Sequence, residues 1–179
     1  VKEYAEMQLE TREQALAYLA QIQPSVTFEV QPFESGWICK QNLPPQENLG
    51  RGLGMASLII DKETGVVTVQ SSLPRDLIAQ QYAEAKRTGE PLPGRQIYPH
   101  QWRITIRRIR EDRQRIEYQM AAESLTDPPE PTQQHPLTID KQTYLHDPTD
   151  WLSSVAMSHA EWMSRQNQGA WPEVDTTEV

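Results

Sequence analysis

The segment Met55-Ala56-Ser57-Leu58-Ile59-Ile60-Asp61-Lys62-Glu63-Thr64-Gly65-Val66-Val67-Thr68-Val69-Gln70 is two β-prone runs around a polar turn. Residues 55–60 read as a strand, 61–65 as a tight turn and 66–70 as the returning strand. A hairpin of this kind commits the chain to antiparallel pairing, because only antiparallel neighbours can be joined so briefly.

On the upstream side, Val26, Phe28 and Val30 alternate with Thr27, Glu29 and Gln31, the period of a half-buried strand, ending at Pro32. Gly36-Trp37-Ile38-Cys39-Lys40 is a second short strand after a turn at Glu34-Ser35-Gly36. A helix precedes both. Thr11 and Gln14 form a capping box, Leu16, Leu19, Ala20 and Ile22 share a stripe, and Pro24 ends it. Residues 42–54 carry Gly50, Gly52 and Gly54 without periodicity and read as a long loop.

On the downstream side, Pro74 opens a second helix with Leu77, Ile78, Gln81, Tyr82 and Ala85 on one stripe, closed at Thr88-Gly89. Residues 90–99 form a Pro-rich connector. Beyond it Trp102, Ile104 and Ile106 alternate with Arg103, Thr105 and Arg107. After a turn near Asp112-Arg113, Ile116, Tyr118 and Met120 alternate with Arg115, Glu117 and Gln119. This is a second hairpin, with a slip of parity between Ile106 and Ile109 that predicts a bulge. Residues 126–136 contain four Pro and read as a surface loop before a short strand near 137–139. Asp147-Pro148-Thr149-Asp150 opens a last helix, with Trp151, Leu152, Val155, His159 and Trp162 on a stripe expected to dock on the core, a partner-facing stripe being the alternative. The tail after Gly169 is expected to fray. The triplets Ile60-Asp61-Lys62 and Ile139-Asp140-Lys141 repeat as a short echo. The expected class is α+β, an antiparallel sheet of two hairpins plus an extra strand with helices packed on one face, as a single domain over 1–179. Within it, 11–89 form one region, 100–168 hold the second hairpin and last helix, and 169–179 are tail.

The 179 residues hold 17 Lys+Arg against 25 Asp+Glu, a net charge of −8, which disfavours nucleic acid and favours a basic protein partner. The single cysteine, Cys39, allows no internal disulfide and fits a reducing, cytoplasmic setting. No apolar run approaches the roughly 18 residues of a membrane span. The four histidines lack metal-ligand spacing, so neither metal nor cofactor is expected. Gly50-Arg51-Gly52-Leu53-Gly54 lacks the Lys-Ser/Thr of a phosphate loop and leads into a strand. No catalytic set emerges. Arg103, Arg107, Arg108, Arg110, Arg113 and Arg115 gather in the second hairpin, as a solvated face paired to Glu111, Asp112 and Glu117 or as recognition anchors. Trp171, in a polar tail, is a further candidate anchor.

The order of helix, strand, Gly36-Trp37-Ile38, Gly-rich loop and the Asp61-x-x-Thr64-Gly65 hairpin followed by a helix with Tyr82 resembles the YrhB-like immunity proteins of bacterial toxin systems, over residues 25–82. The resemblance implies a non-enzymatic protein that binds a cognate toxin in the producing cell and blocks its active site. The toxin class it suggests is an NAD-degrading glycohydrolase of the tuberculosis-necrotizing-toxin type, with a basic pocket for an anionic substrate. Gln46, Glu47, Asn48 and Arg51 of the long loop, with Arg103, Arg107 and Trp171, are the expected partner-binding residues. Two other readings are a small nucleotide-binding domain or enzyme using residues 50–54 and the arginine hairpin, and an adaptor or chaperone of a secreted protein.

Overall fold

A computed structural model describes residues 8–42 and 56–179. The long-loop candidates Gln46, Glu47, Asn48 and Arg51, the glycines at 50, 52 and 54, and Met55 lie outside the described residues. The chain forms two compact units, Val1–Pro99 and His100–Val179.

In the first unit, α1 (Arg12–Ile22) starts at the expected capping box, Thr11 accepting from the Gln14 backbone and Gln14 reaching back to the Thr11 N–H. It is followed by β1 (Phe28–Phe33), β2 (Gly36–Gln41), β3 (Leu58–Asp61), β4 (Val67–Val69), α2 (Arg75–Thr88) and β5 (Arg95–Tyr98). The five strands pair antiparallel in chain order, β1 to β5. β1 runs through Pro32, which a sheet edge tolerates because an edge strand has an unpaired side. β5 lies inside the Pro-rich connector, where Arg95-Gln96-Ile97-Tyr98 is too short to show a period.

Both faces of this sheet are covered. Trp37, Cys39, Leu58, Ile60 and Val67 pack with Ala15, Tyr18 and Leu19 of α1, whereas Ile38 and Ile59 pack with Ile78 and Tyr82 of α2. The helices therefore lie on opposite faces, not on one as expected, which is why Leu58–Asp61 is buried throughout instead of alternating. The inward face of α1 is Ala15, Tyr18 and Leu19, with Leu16 and Ile22 flanking and Ala20 exposed. Tyr18 turns inward because its hydroxyl donates to the Gly65 carbonyl at 2.6 Å, tying α1 to the hairpin turn. Leu77 and Gln81 of α2 face solvent, and Ala83 takes a buried place. Gly89 ends α2 in the left-handed conformation.

In the second unit, β6 (Trp102–Glu111), β7 (Arg115–Ser124), β8 (Gln133–Asp140) and β9 (His146–Asp147) form a meander, then α3 (Trp151–Gln166) leads to β10 (Val174–Glu178). The sheet order is β10-β6-β7-β8-β9. The predicted bulge is present, with the register shifting between Arg108 and Arg110 and Ile109 left 53% exposed. β8 starts at Gln133 and passes through Pro136, earlier than expected. Its other neighbour β9 pairs only with Thr138 and Ile139, so β8 is an edge strand at the proline. The tail does not fray: β10 pairs with β6 from Val174 to Glu178.

One face of this sheet, with Ile104, Ile106, Ile116, Tyr118, Met120, Leu137 and Ile139, packs on Leu152, Ala156 and Ala160 of α3 and on Trp171. Each fully buried aliphatic here is worth about 1.5–3 kcal/mol relative to exposure. The α+β class and the antiparallel pairing hold in both units, as two five-stranded sheets instead of one.

Candidate functional site

The first unit concentrates charge at its central hairpin. The Asp61 side chain is 1% exposed, and its Oδ2 lies 2.8 Å from Lys86 Nζ. Tyr82 donates its hydroxyl to the same oxygen at 3.2 Å, and Lys86 also reaches Glu63 at 2.8 Å. Burial alone would raise the Asp61 carboxyl, but hydrogen bonds from Lys86 and from the Glu63 and Thr64 backbones outweigh it and hold the group below its ordinary value. For Lys86, burial acts downward and is outweighed by the Asp61 and Glu63 contacts, so its ammonium is held above the usual range. Tyr82 and Lys86, four apart on α2, share the face that meets the turn. That spacing is the one signal in the sequence that could have joined them to Asp61.

Three of the six arginines of the second hairpin are paired with glutamates of the same unit. Arg110 pairs with Glu117 at 2.6 Å, and Arg108 pairs with Glu111 at 2.8 Å and Glu173 at 2.7 Å. Arg103 pairs with Glu178 at 2.9 Å. Glu111 and Glu117 are partners foreseen from the sequence. Asp112 instead caps its turn, accepting from the Gln114 and Arg115 backbones at 2.8 Å. Glu173 and Glu178 reach the hairpin because the tail pairs with β6 instead of fraying. Arg107 is exposed, with Gln119 and Val174 as its cross-strand neighbours, and makes no ion pair with a described residue.

Trp171 is 8% exposed and belongs to the core, beside Tyr118, whose hydroxyl donates to the Pro172 carbonyl at 2.9 Å. Its burial makes it a packing residue, not a surface anchor. Cys39 is buried, and desolvation pushes its thiol up to about 12, the behaviour of an inert core thiol. Among the described residues no group of three or more His, Cys, Asp or Glu side chains is placed to hold a metal ion. No helix there is long and apolar enough to cross a membrane.

The large aromatic residues of α3 do not face the core. Its inward ridge is Leu152, Ala156, Ala160 and Ser164, spaced by four, whose small side chains let the helix approach the bulky sheet residues closely. Trp151 and Trp162 are 43% and 54% exposed. With Ser154, Val155, Ser158 and His159 they line a shallow depression. His159 stacks on Trp162 with ring centres 6.3 Å apart, and its Nε2 lies 3.3 Å from Asp175 Oδ2. Of the stripe read from the sequence, Leu152 and Val155 do pack on the core, whereas Trp151 and Trp162 turn outward, because bulk is not by itself the sign of a core face.

Comparison with known families finds one match: residues 9–90 fit the model of the Immunity protein 35-like domain. This is wider than the 25–82 segment carrying the sequence resemblance and takes in α1 and α2, while the second unit lies outside it. No match was found among curated proteins or among solved structures. The hairpin that holds Asp61, the Gly36-Trp37 strand and the helix with Tyr82 all fall within the matched region, so it is the first unit of this protein that is similar to the Immunity protein 35-like domain.

Proposed function

We propose that this chain is an immunity protein, which binds a cognate toxin in the cell that produces both and blocks the toxin's active site without chemistry of its own. The observation that carries the reading is the immunity-domain match over residues 9–90. The net charge of −8 supports a basic partner, since complementary charge speeds encounter and penalises wrong partners. The same charge suits a toxin pocket that receives an anionic nucleotide, so an NAD-degrading glycohydrolase is our choice of toxin class.

Co-expression with the toxin domain encoded beside this gene tests the proposal. Rescue of growth, a stable complex of purified components and loss of toxin activity in that complex are expected, with cellular NAD preserved if the toxin class is right. Neither complex nor rescue would sink the immunity reading. Complex formation without rescue would make the chain an adaptor or chaperone.

A further inference from the structure

We infer that the exposed aromatic face of α3 is the surface on which the toxin docks, receiving a basic region of the toxin that presents an apolar anchor; this rests on the immunity reading above. Trp162 is 54% exposed on a helix whose inward ridge is already complete. A tryptophan left in water exposes a large apolar area, and tryptophans are enriched among the few residues that dominate binding energy. Here one face of Trp162 is already covered: His159 stacks on it, with its Nε2 3.3 Å from Asp175 Oδ2. A rigid aromatic loses little conformational freedom on binding. Ser154 and Ser158, between the aromatics, leave a shallow seat that a protruding side chain can enter.

Charge selects the partner. Residues 100–179 carry eight Lys+Arg against thirteen Asp+Glu, a net charge of −5. Asp147 and Asp150 stand at the start of α3, and Asp175 touches His159. The one Lys or Arg of α3, Arg165, is spent on Glu161. An apolar seat with an acidic surround complements a cationic surface and repels an anionic one. The rest of the second unit fits this role less well, because three of its sheet arginines are tied to glutamates of the same sheet or tail.

Titration calorimetry of the full chain against the purified toxin domain from the adjoining gene, with wild type, Trp162→Ala and Ser158→Arg, tests the assignment. Ser158 is exposed and lines the seat, so arginine there fills it and sets a positive charge against a basic partner. Both variants are expected to melt like wild type and to bind about 30-fold or more weakly, the loss that marks a binding hot spot. Association of the wild type is expected to slow as salt rises. Binding of both variants with wild-type affinity overturns this assignment and leaves the immunity reading standing. Failure of the wild type itself to bind overturns the reading beneath it. A wild-type dimer in sedimentation that Trp162→Ala dissociates overturns it too, by making a second copy the occupant.

Discussion

Asp61 and Asp140 close their turns with the same bonds. Asp61 Oδ1 accepts from the Glu63 and Thr64 backbones at 2.9 and 3.2 Å, and Asp140 Oδ1 accepts from Gln142 and Thr143 at 2.9 Å each. The next residue, Gly65 or Tyr144, donates its N–H back to the aspartate carbonyl at 2.8 or 2.9 Å. Lys62 and Lys141 donate their backbone N–H to the residue before the preceding strand, Ser35 and Gln114, both at a start-of-strand turn. The echo of Ile-Asp-Lys in the sequence thus marks one turn device used in both units, after the third strand of each meander. The two differ in what the other carboxylate oxygen meets: Lys86 and Tyr82 for Asp61, and the neutral Gln114 amide at 3.3 Å for Asp140.

That difference predicts unequal responses to the same substitution. Asparagine can keep the two turn bonds but not the charge. Asp61→Asn is expected to destabilise the first unit by about 2–3 kcal/mol, below the usual cost of breaking a buried pair because Lys86 is partly exposed. Asp140→Asn is expected to leave the urea midpoint unchanged within error. Equal midpoints for the two variants would show that the Lys86 contact does not contribute to stability.

The same pair sets a pH dependence. Asp61 is depressed in the folded state, so its contribution is present above the unfolded carboxyl value of about 3.9 and is lost as pH falls through the folded value. Lys86 is raised, so its contribution is present below the unfolded value of about 10.4 and is lost as pH rises through the folded one. Urea midpoints measured from pH 2 to pH 8 should therefore show a wild-type advantage over Asp61→Asn that shrinks below about pH 4. An advantage constant across that range would refute the assignment.

Much of this architecture was legible because local signals and packing agreed. The capping box at Thr11 and Gln14, the central hairpin, the bulge at Ile109 and the Gly89 stop all rest on short-range chemistry visible in the chain. Tertiary context supplied the rest. Strands β5 and β10 are held by their neighbours β4 and β6, not by a strong pattern of their own. The covering of both faces of the first sheet depends on where the connections run. Size alone does not tell which way a side chain points, which is why a polar tail conceals the buried Trp171 and an apolar stripe conceals the exposed Trp162.

Glycine geometry at the hairpins gives a pair of opposite predictions. Gly36 has φ +155°, and a Cβ there would lie 1.9 Å from the Ile60 carbonyl oxygen, so Gly36→Ala must push β2 from β3 and is expected to unfold the first unit. At the equivalent place to Gly65, Tyr144 adopts φ 59°, a left-handed conformation costly for a side chain. Tyr144→Gly is expected to stabilise the second unit by up to about 1 kcal/mol, the strain relieved outweighing the added freedom of the unfolded chain. Thermal melts of both variants decide the matter, and a loss of stability in Tyr144→Gly would mean its ring packing outweighs the strain.

The two tryptophans at opposite extremes of exposure separate folding from binding. Trp171 is buried with Tyr118, and its removal leaves a cavity beneath a residue whose hydroxyl is anchored at Pro172, so Trp171→Ala is expected to cost about 3–5 kcal/mol. Trp162 is more than half exposed, and Trp162→Ala is expected to shift stability by no more than about 0.5 kcal/mol. Chemical denaturation of the full chain, followed by near-ultraviolet circular dichroism, reads both. If Trp162→Ala proves as costly as Trp171→Ala, Trp162 is a packing residue and a loss of toxin binding in that variant would report unfolding. If its stability is unchanged, any such loss reports the surface itself, because the fold is then intact without that ring.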